Sequence, residues 1–154
     1  MSNHKHNNTT LRKMQYHPRK YRAKAIQPEH EAGEWVEGYY VCLDGTEHRI
    51  YNGYAEIDCG DYYPDWRRVD PTTLGQDTGQ TDKYGARIYE GDIVEINSAR
   101  GVFMFGAVSY NEVVSSYEIK NRERDSEMTF FPSELHVVGN IYDNPGLMGK
   151  GGEK

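Results

Sequence analysis

The segment Trp35-Val36-Glu37-Gly38-Tyr39-Tyr40-Val41-Cys42-Leu43 is dense in aromatic and β-branched residues and runs into Asp44-Gly45. Such residues suit a pleated, half-buried surface. Asp-Gly is a strong two-residue hairpin signal. The spacing therefore predicts a strand over 35–43 and a return strand over 46–51. Gly38 inside the first strand marks a bulge or a close backbone approach. Asn52-Gly53 repeats the turn signal, so Tyr54 to Cys59 reads as a third strand and 35–59 as a β-meander.

Upstream, Lys20 to Ile26 reads as an edge strand and 27–34 as an acidic turn. Downstream, residues 60–72 carry Gly60, Pro64 and Pro71 and read as a loop, and 75–85 as a Gly/Asp/Thr-rich connector. The second half begins with Arg87-Ile88-Tyr89, turns at Glu90-Gly91-Asp92, and resumes over Ile93 to Ile96. From Gly101 to Tyr110 both alternating faces are apolar, which predicts a central strand. Val113 to Lys120 alternates as a half-buried strand, Glu127 to Phe131 is a short one, and Pro132 to Leu135 fits one helical turn before a closing strand over His136 to Tyr142. No stretch of ten residues carries a helical apolar stripe. The expected fold is mainly β, with a β-meander subdomain and its connector over 19–85 and an SH3-like barrel over 86–148. A disordered basic arm is expected over 1–18 and a disordered tail over 149–154.

The chain has 154 residues, 36% hydrophobic and 27% charged. Leu, Ile, Val and Phe together number only 27, too few for a large aliphatic core, but 13 Tyr and 2 Trp enlarge the buriable set. Tyr39, Tyr40, Tyr51, Tyr54, Tyr62, Tyr63 and Trp66 crowd the first half. They are expected chiefly to fill that core. Where exposed, Tyr39, Tyr51, Tyr62, Tyr63 and Trp66 would form a surface for a protein partner or a second copy of the chain.

Charge is uneven. Residues 1–24 hold seven bases and no acid, and residues 25–154 hold 11 bases and 24 acids, a net −13. An acidic body repels phosphate across its own surface, so nucleic-acid binding is the alternative reading and would rest on Lys13, Arg19, Lys20, Arg22 and Lys24. No apolar run reaches the length of a membrane span, and no signal-peptide pattern opens the sequence.

Reactive chemistry finds little support. Asp58, Asp61 and Asp65 with His48 lack the alternation of a calcium loop and read as a solvated acidic turn. Cys42 and Cys59 are too few for a disulfide scaffold or a zinc site, and would pair only if two strands set them side by side. His48 lies within reach of either across the hairpin, yet no local signature of a nucleophile accompanies it. No phosphate-cradling glycine pattern is present. The expectation is a non-enzymatic protein without metal or cofactor.

Three blocks stand out in order: Trp35-Val36-Glu37-Gly38-Tyr39; the run Val69-Asp70-Pro71-Thr72-Thr73-Leu74-Gly75-Gln76, Thr78-Gly79, Asp82-Lys83, Gly85 and Ile88-Tyr89-Glu90-Gly91-Asp92-Ile93-Val94; and Val138-Gly139-Asn140-Ile141-Tyr142-Asp143-Asn144-Pro145. Together they resemble the YopX family of phage and prophage proteins. The sequence departs from the family pattern at Lys24, Asp77 and Gln80. The resemblance implies a mostly-β protein of phage or prophage origin in a bacterial cytoplasm, with no catalytic residue to carry across. Read physically, Gly75, Gly79, Gly85 and Gly91 meet backbone demands, and Asp70, Asp82, Asp92, Asn140 and Asn144 cap turns.

Overall fold

The computed structural model describes residues 18–28, 31–57, 61–97, 103–121, 128–129 and 131–149. Among them are eleven strands and no α-helix. Four strands close a small antiparallel barrel: β1 (Tyr21–Gln27), β2 (Trp35–Leu43), β3 (Glu47–Ile57) and β4 (Asp61–Val69). β1 pairs with β2 from Tyr21↔Gly38 to Lys24↔Trp35, and with β4 at Ala25↔Val69 and Gln27↔Arg68. β2 pairs with β3 from Tyr39↔Tyr51 to Leu43↔Glu47, and β3 pairs with β4 from Arg49↔Arg68 to Ile57↔Asp61.

β2 thus changes partner between Gly38 and Tyr39. The corner requires glycine, because a Cβ at Gly38 would lie 2.1 Å from the Tyr51 carbonyl oxygen. Ala23, Ile50 and Val69 fill the barrel, with Tyr21, Val36 and Leu74 packed against them.

After β4 a 3-10 turn over Pro71–Thr73 is capped by Asp70, whose Oδ1 accepts the Thr72 N–H at 2.9 Å. β5 (Gly75–Thr81) then returns to β1 at Arg22↔Gly75 and Tyr21↔Gln76, and β6 (Arg87–Tyr89) adds to β5. The second sheet holds β7 (Asp92–Asn97), β8 (Phe103–Asn111), β9 (Ser116–Lys120), β10 (Met128–Thr129) and β11 (Leu135–Asn140), in the order β10-β9-β8-β7-β11. Its core is Ile88, Val94, Val108, Ile119 and Leu135, flanked by Ile96, Tyr117 and Val137. Burying a branched aliphatic side chain is worth about 1.5–3 kcal/mol, so this cluster contributes more than the barrel interior with its single Ile, Val and Ala.

Several expectations are corrected. Lys20 to Ile26 is not an edge strand, since β1 is paired on both sides. Asn52-Gly53 does not end a strand. The register slips there between Tyr51↔Trp66 and Gly53↔Asp65, leaving Asn52 as a bulge inside an eleven-residue β3. The expected loop over 60–72 contains β4. Pro64 is tolerated because β1 pairs only with the Arg68–Val69 end, which leaves the rest of β4 on an edge. The 75–85 connector contains β5, and Val113 to Ser115 lies in a turn before β9. The closed barrel expected over 86–148 lies in residues 21–69 instead, and among the described residues the strands after Asp92 pair in the open order above. β5 and β6 pair across the expected boundary at 85/86. The arm over 1–18 and the tail over 149–154 fall outside the described residues, apart from Pro18 and Gly149. No helix among the described residues is long and apolar enough to cross a membrane.

Candidate functional site

Two of the five bases in the nucleic-acid reading are occupied inside the fold. Arg22 projects from β1 to Asp92 at the start of β7 and forms an ion pair with Oδ1, while Oδ2 accepts the Tyr89 N–H at 2.8 Å. Its guanidinium also lies over the rings of Trp35 (4.8 Å) and Tyr89 (4.9 Å). Lys24 pairs with Asp143 and sits 5.5 Å from the Trp35 ring centre. Asp143 also accepts the Trp35 indole N–H at 2.7 Å and the Asn140 amide at 3.0 Å. Lys24 first, then Asn140 and Trp35, hold the Asp143 carboxyl well below the usual carboxylate range. Burial pushes the Asp92 carboxyl up, against the opposing pull of Arg22.

This cluster joins the barrel to the second sheet. Trp35 packs on Tyr142 at 5.7 Å, and Gly91 lies so close to Tyr142 that a Cβ would sit 3.2 Å from its ring. At Gly75 a Cβ would be 2.3 Å from the Glu90 carbonyl oxygen. Asp82 is buried and accepts the N–H groups of Tyr84, Ala86 and Val137. Burial raises its pKa, but these three bonds outweigh that and the net shift is downward. Asn140 accepts from Tyr142 and Asp143. The motif aspartates and asparagines are turn and junction residues, as their chemistry predicts.

The exposed chemistry lies on the barrel. Tyr39, Tyr51 and Trp66 are directly opposite one another on β2, β3 and β4, and opposed residues share a face. They form one aromatic row across three strands. Tyr39 is 44% and Trp66 36% exposed, and Tyr51 is half-buried. Arg49 stands two residues before Tyr51 on the same face of β3, with its guanidinium 3.8 Å over the Trp66 ring. Glu47 holds Arg49 at 2.6 Å and Arg68 at 3.8 Å. Tyr54 and Tyr63 are also exposed, at 74% and 56%. The expectation that these aromatics chiefly fill the core is therefore corrected at Tyr39, Tyr54, Tyr63 and Trp66. The buried cluster of the barrel is instead Ala23, Ile50 and Val69, with Tyr21, Val36 and Leu74 packed against it. The Tyr62 side chain lies outside the described residues.

Beside Tyr39 opens a groove of about 460 Å³ lined by Pro18, Arg19, Lys20, Asp77, Gly79 and Arg87. Arg87 is paired with the buried Asp77 at 2.6 Å and remains 55% exposed. Arg19 and Lys20 bring two further cations to it. Of the five bases in the nucleic-acid reading, Arg19 and Lys20 reach this groove, Arg22 and Lys24 hold the sheet junction, and Lys13 lies outside the described residues.

Cys42 is exposed with a free thiol and faces His48 in the β2–β3 register. His48 Nδ1 is 2.6 Å from the Tyr40 hydroxyl, whose pKa is raised by burial and then by Cys42. Asp65 pairs with Arg67. Cys59, Asp58 and the Asp61 side chain lie outside the described residues. Among the described residues no group of three or more His, Cys, Asp and Glu could hold a metal ion.

A family model described as "YopX protein" matches residues 20–149. No curated protein matches the chain. Among solved structures, the crystal structure of protein EF1440 from Enterococcus faecalis is similar with a TM-score of 0.56 at 20% identity, over 85% of this chain and 98% of that one. At that identity the likeness is one of fold.

Proposed function

The chain belongs to the YopX family, and from that membership and the layout of its surface we propose that it works as a non-enzymatic protein-binding or accessory module of phage or prophage origin, acting in a bacterial cytoplasm. The observation that carries this reading is the Tyr39–Tyr51–Trp66 row. Arg22, Asp92, Trp35, Tyr142 and Asp143 are engaged in joining the two sheets, whereas Tyr51 and Trp66 lie outside the family motifs and away from that junction. Exposed aromatics flanked by an arginine have the composition of binding hot spots. The test is affinity capture from a bacterial lysate with the wild type and with Tyr51→Ser and Trp66→Ser. A specific protein retained by the wild type and reduced at least about tenfold by either substitution supports the module, since one hot-spot aromatic is worth about 2 kcal/mol or more. Failure to retain any protein, or capture indifferent to both substitutions, refutes it.

Nucleic-acid binding is a second reading, favoured by the groove that gathers Arg19, Lys20 and Arg87 on an otherwise acidic body. It predicts binding of DNA or RNA that weakens steeply between about 50 and 200 mM salt. Absent or salt-independent binding removes it.

A further inference from the structure

We propose that the groove beside Tyr39 is a site for an unpaired nucleotide, its phosphate held by Arg19, Lys20 and Arg87 and its base stacked on the Tyr39 ring. The site rests on the nucleic-acid reading above and narrows it to single strands and their mononucleotides. Tyr51 and Trp66 have no part in it.

The cations are held in place by the fold. Asp77 is buried; its Oδ1 accepts the Gly79 N–H at 2.8 Å and its Oδ2 accepts from Arg87 Nη1 at 2.6 Å. A guanidinium carries several N–H donors in a rigid fork. The bond to Asp77 therefore orients Arg87 and leaves other donors for a ligand, and more than half of its side chain stays exposed. The Lys20 carbonyl accepts the Asp77 N–H at 2.8 Å, and the next residue, Tyr21, pairs with both Gly38 and Gln76. The backbone that carries Lys20 is thus pinned to β5 and β2. Among the described residues no carboxylate pairs with the Lys20 ammonium. Groups fixed beforehand lose less freedom on capturing a ligand.

Charge and shape select the ligand. The lining holds three bases against one carboxylate, which Arg87 already engages. That local surplus favours an anion on an otherwise acidic body. Tyr39 adds an exposed ring. Among the described residues no other ring stacks on it and no cation covers it, whereas Trp66 lies under Arg49. At Gly79 a Cβ would meet nothing within 4 Å, so the backbone there borders open space. The volume of about 460 Å³ is that of a small-ligand site. An inorganic anion would use the cations and leave the ring idle, whereas a nucleotide uses both. A duplex keeps its base faces inside the stack, but an unpaired base offers a π-face to an aromatic side chain.

Fluorescence anisotropy of the full chain with a labelled oligothymidylate, and with a duplex of the same length, tests the site. The single strand should bind at least about tenfold more tightly than the duplex. With about three phosphate contacts, its affinity should fall about 10–20-fold between about 50 and 200 mM salt. Tyr39→Leu, which keeps an apolar strand residue, should weaken binding at least about fivefold. Lys20→Gln should weaken it and make the salt slope shallower by about 0.7. Trp66→Ser should leave it unchanged. Thymidine monophosphate should displace the strand at concentrations where inorganic phosphate does not. Duplex bound as well as single strand, with no effect of Tyr39→Leu, overturns this site while the broader nucleic-acid reading stands. Phosphate competing as well as the nucleotide overturns it too, and binding of none of these probes removes both. Retention of a protein that depends on Tyr39 and Lys20, with no nucleotide bound, gives the groove to a protein partner and overturns the proposal.

Discussion

Replacing Asp92 by Asn isolates the electrostatic part of the sheet junction. Asn keeps an oxygen that can accept the Tyr89 N–H, now at 2.8 Å, but it leaves the Arg22 guanidinium, 14% exposed, without its counter-charge. Breaking one partner of a buried pair costs about 3–5 kcal/mol, because the remaining charge stays desolvated. For a chain of this size each kcal/mol lowers Tm by about 2–4 °C, so Asp92→Asn should lower it by about 6–20 °C. Arg22→Met combined with Asp92→Asn removes the stranded charge and keeps an aliphatic stem against Trp35. The double variant should regain at least half of the loss. Differential scanning calorimetry of the wild type, both single variants and the double variant closes the cycle. A single-variant shift below about 3 °C, or a double variant as unstable as the worse single one, would refute the account of this junction.

Gly38→Ala should cost about 1–3 kcal/mol or more in urea unfolding, because a Cβ there meets the Tyr51 carbonyl oxygen at 2.1 Å and backbone cannot rotate aside. Asp143 is held below its unfolded value of 3.8. Its contribution is therefore complete above that value and is lost as pH falls below it. Asp143→Asn should flatten the acid limb of a Tm-against-pH curve while Asp92, shifted the other way, leaves its own limb in place. Tyr54→Ser, on a ring that is 74% exposed, should keep urea stability within about 0.5 kcal/mol of the wild type, and Trp66→Ser, which also loses the Arg49 contact, within about 1 kcal/mol. A larger loss would mean that the row packs rather than binds.

The β2 strand and its Asp44-Gly45 turn were readable because both signals are local. Asn52-Gly53 carries the same kind of signal and does something else. Closing four strands into a barrel needs β3 long enough to serve both β2 and β4, and it needs extra twist, which a bulge supplies. The dipeptide has the conformational freedom for either use, and only the tertiary closure selects one. Pro64 concealed β4 because edge status is a property of the sheet, invisible in the residue itself. The junction was legible as a set of cap-forming residues but not as a cluster. Arg22 and Lys24 read as free cations for a nucleic-acid partner until their carboxylates, 70 and 119 positions away, are brought in by the fold. The aromatic row was legible in its members and not in its alignment, since the Tyr39↔Tyr51↔Trp66 register depends on where the bulge falls.

The reach of Asp143 back to Trp35 bears on the order in which the polypeptide can mature on the ribosome. Trp35 leaves the exit tunnel early, but the carboxylate that takes its indole N–H and neutralises Lys24 is translated 108 positions later. Until that late segment emerges, the first hairpin stands with an unsheathed indole and an uncompensated ammonium. Premature termination before Asn140 would therefore damage the oldest part of the nascent chain.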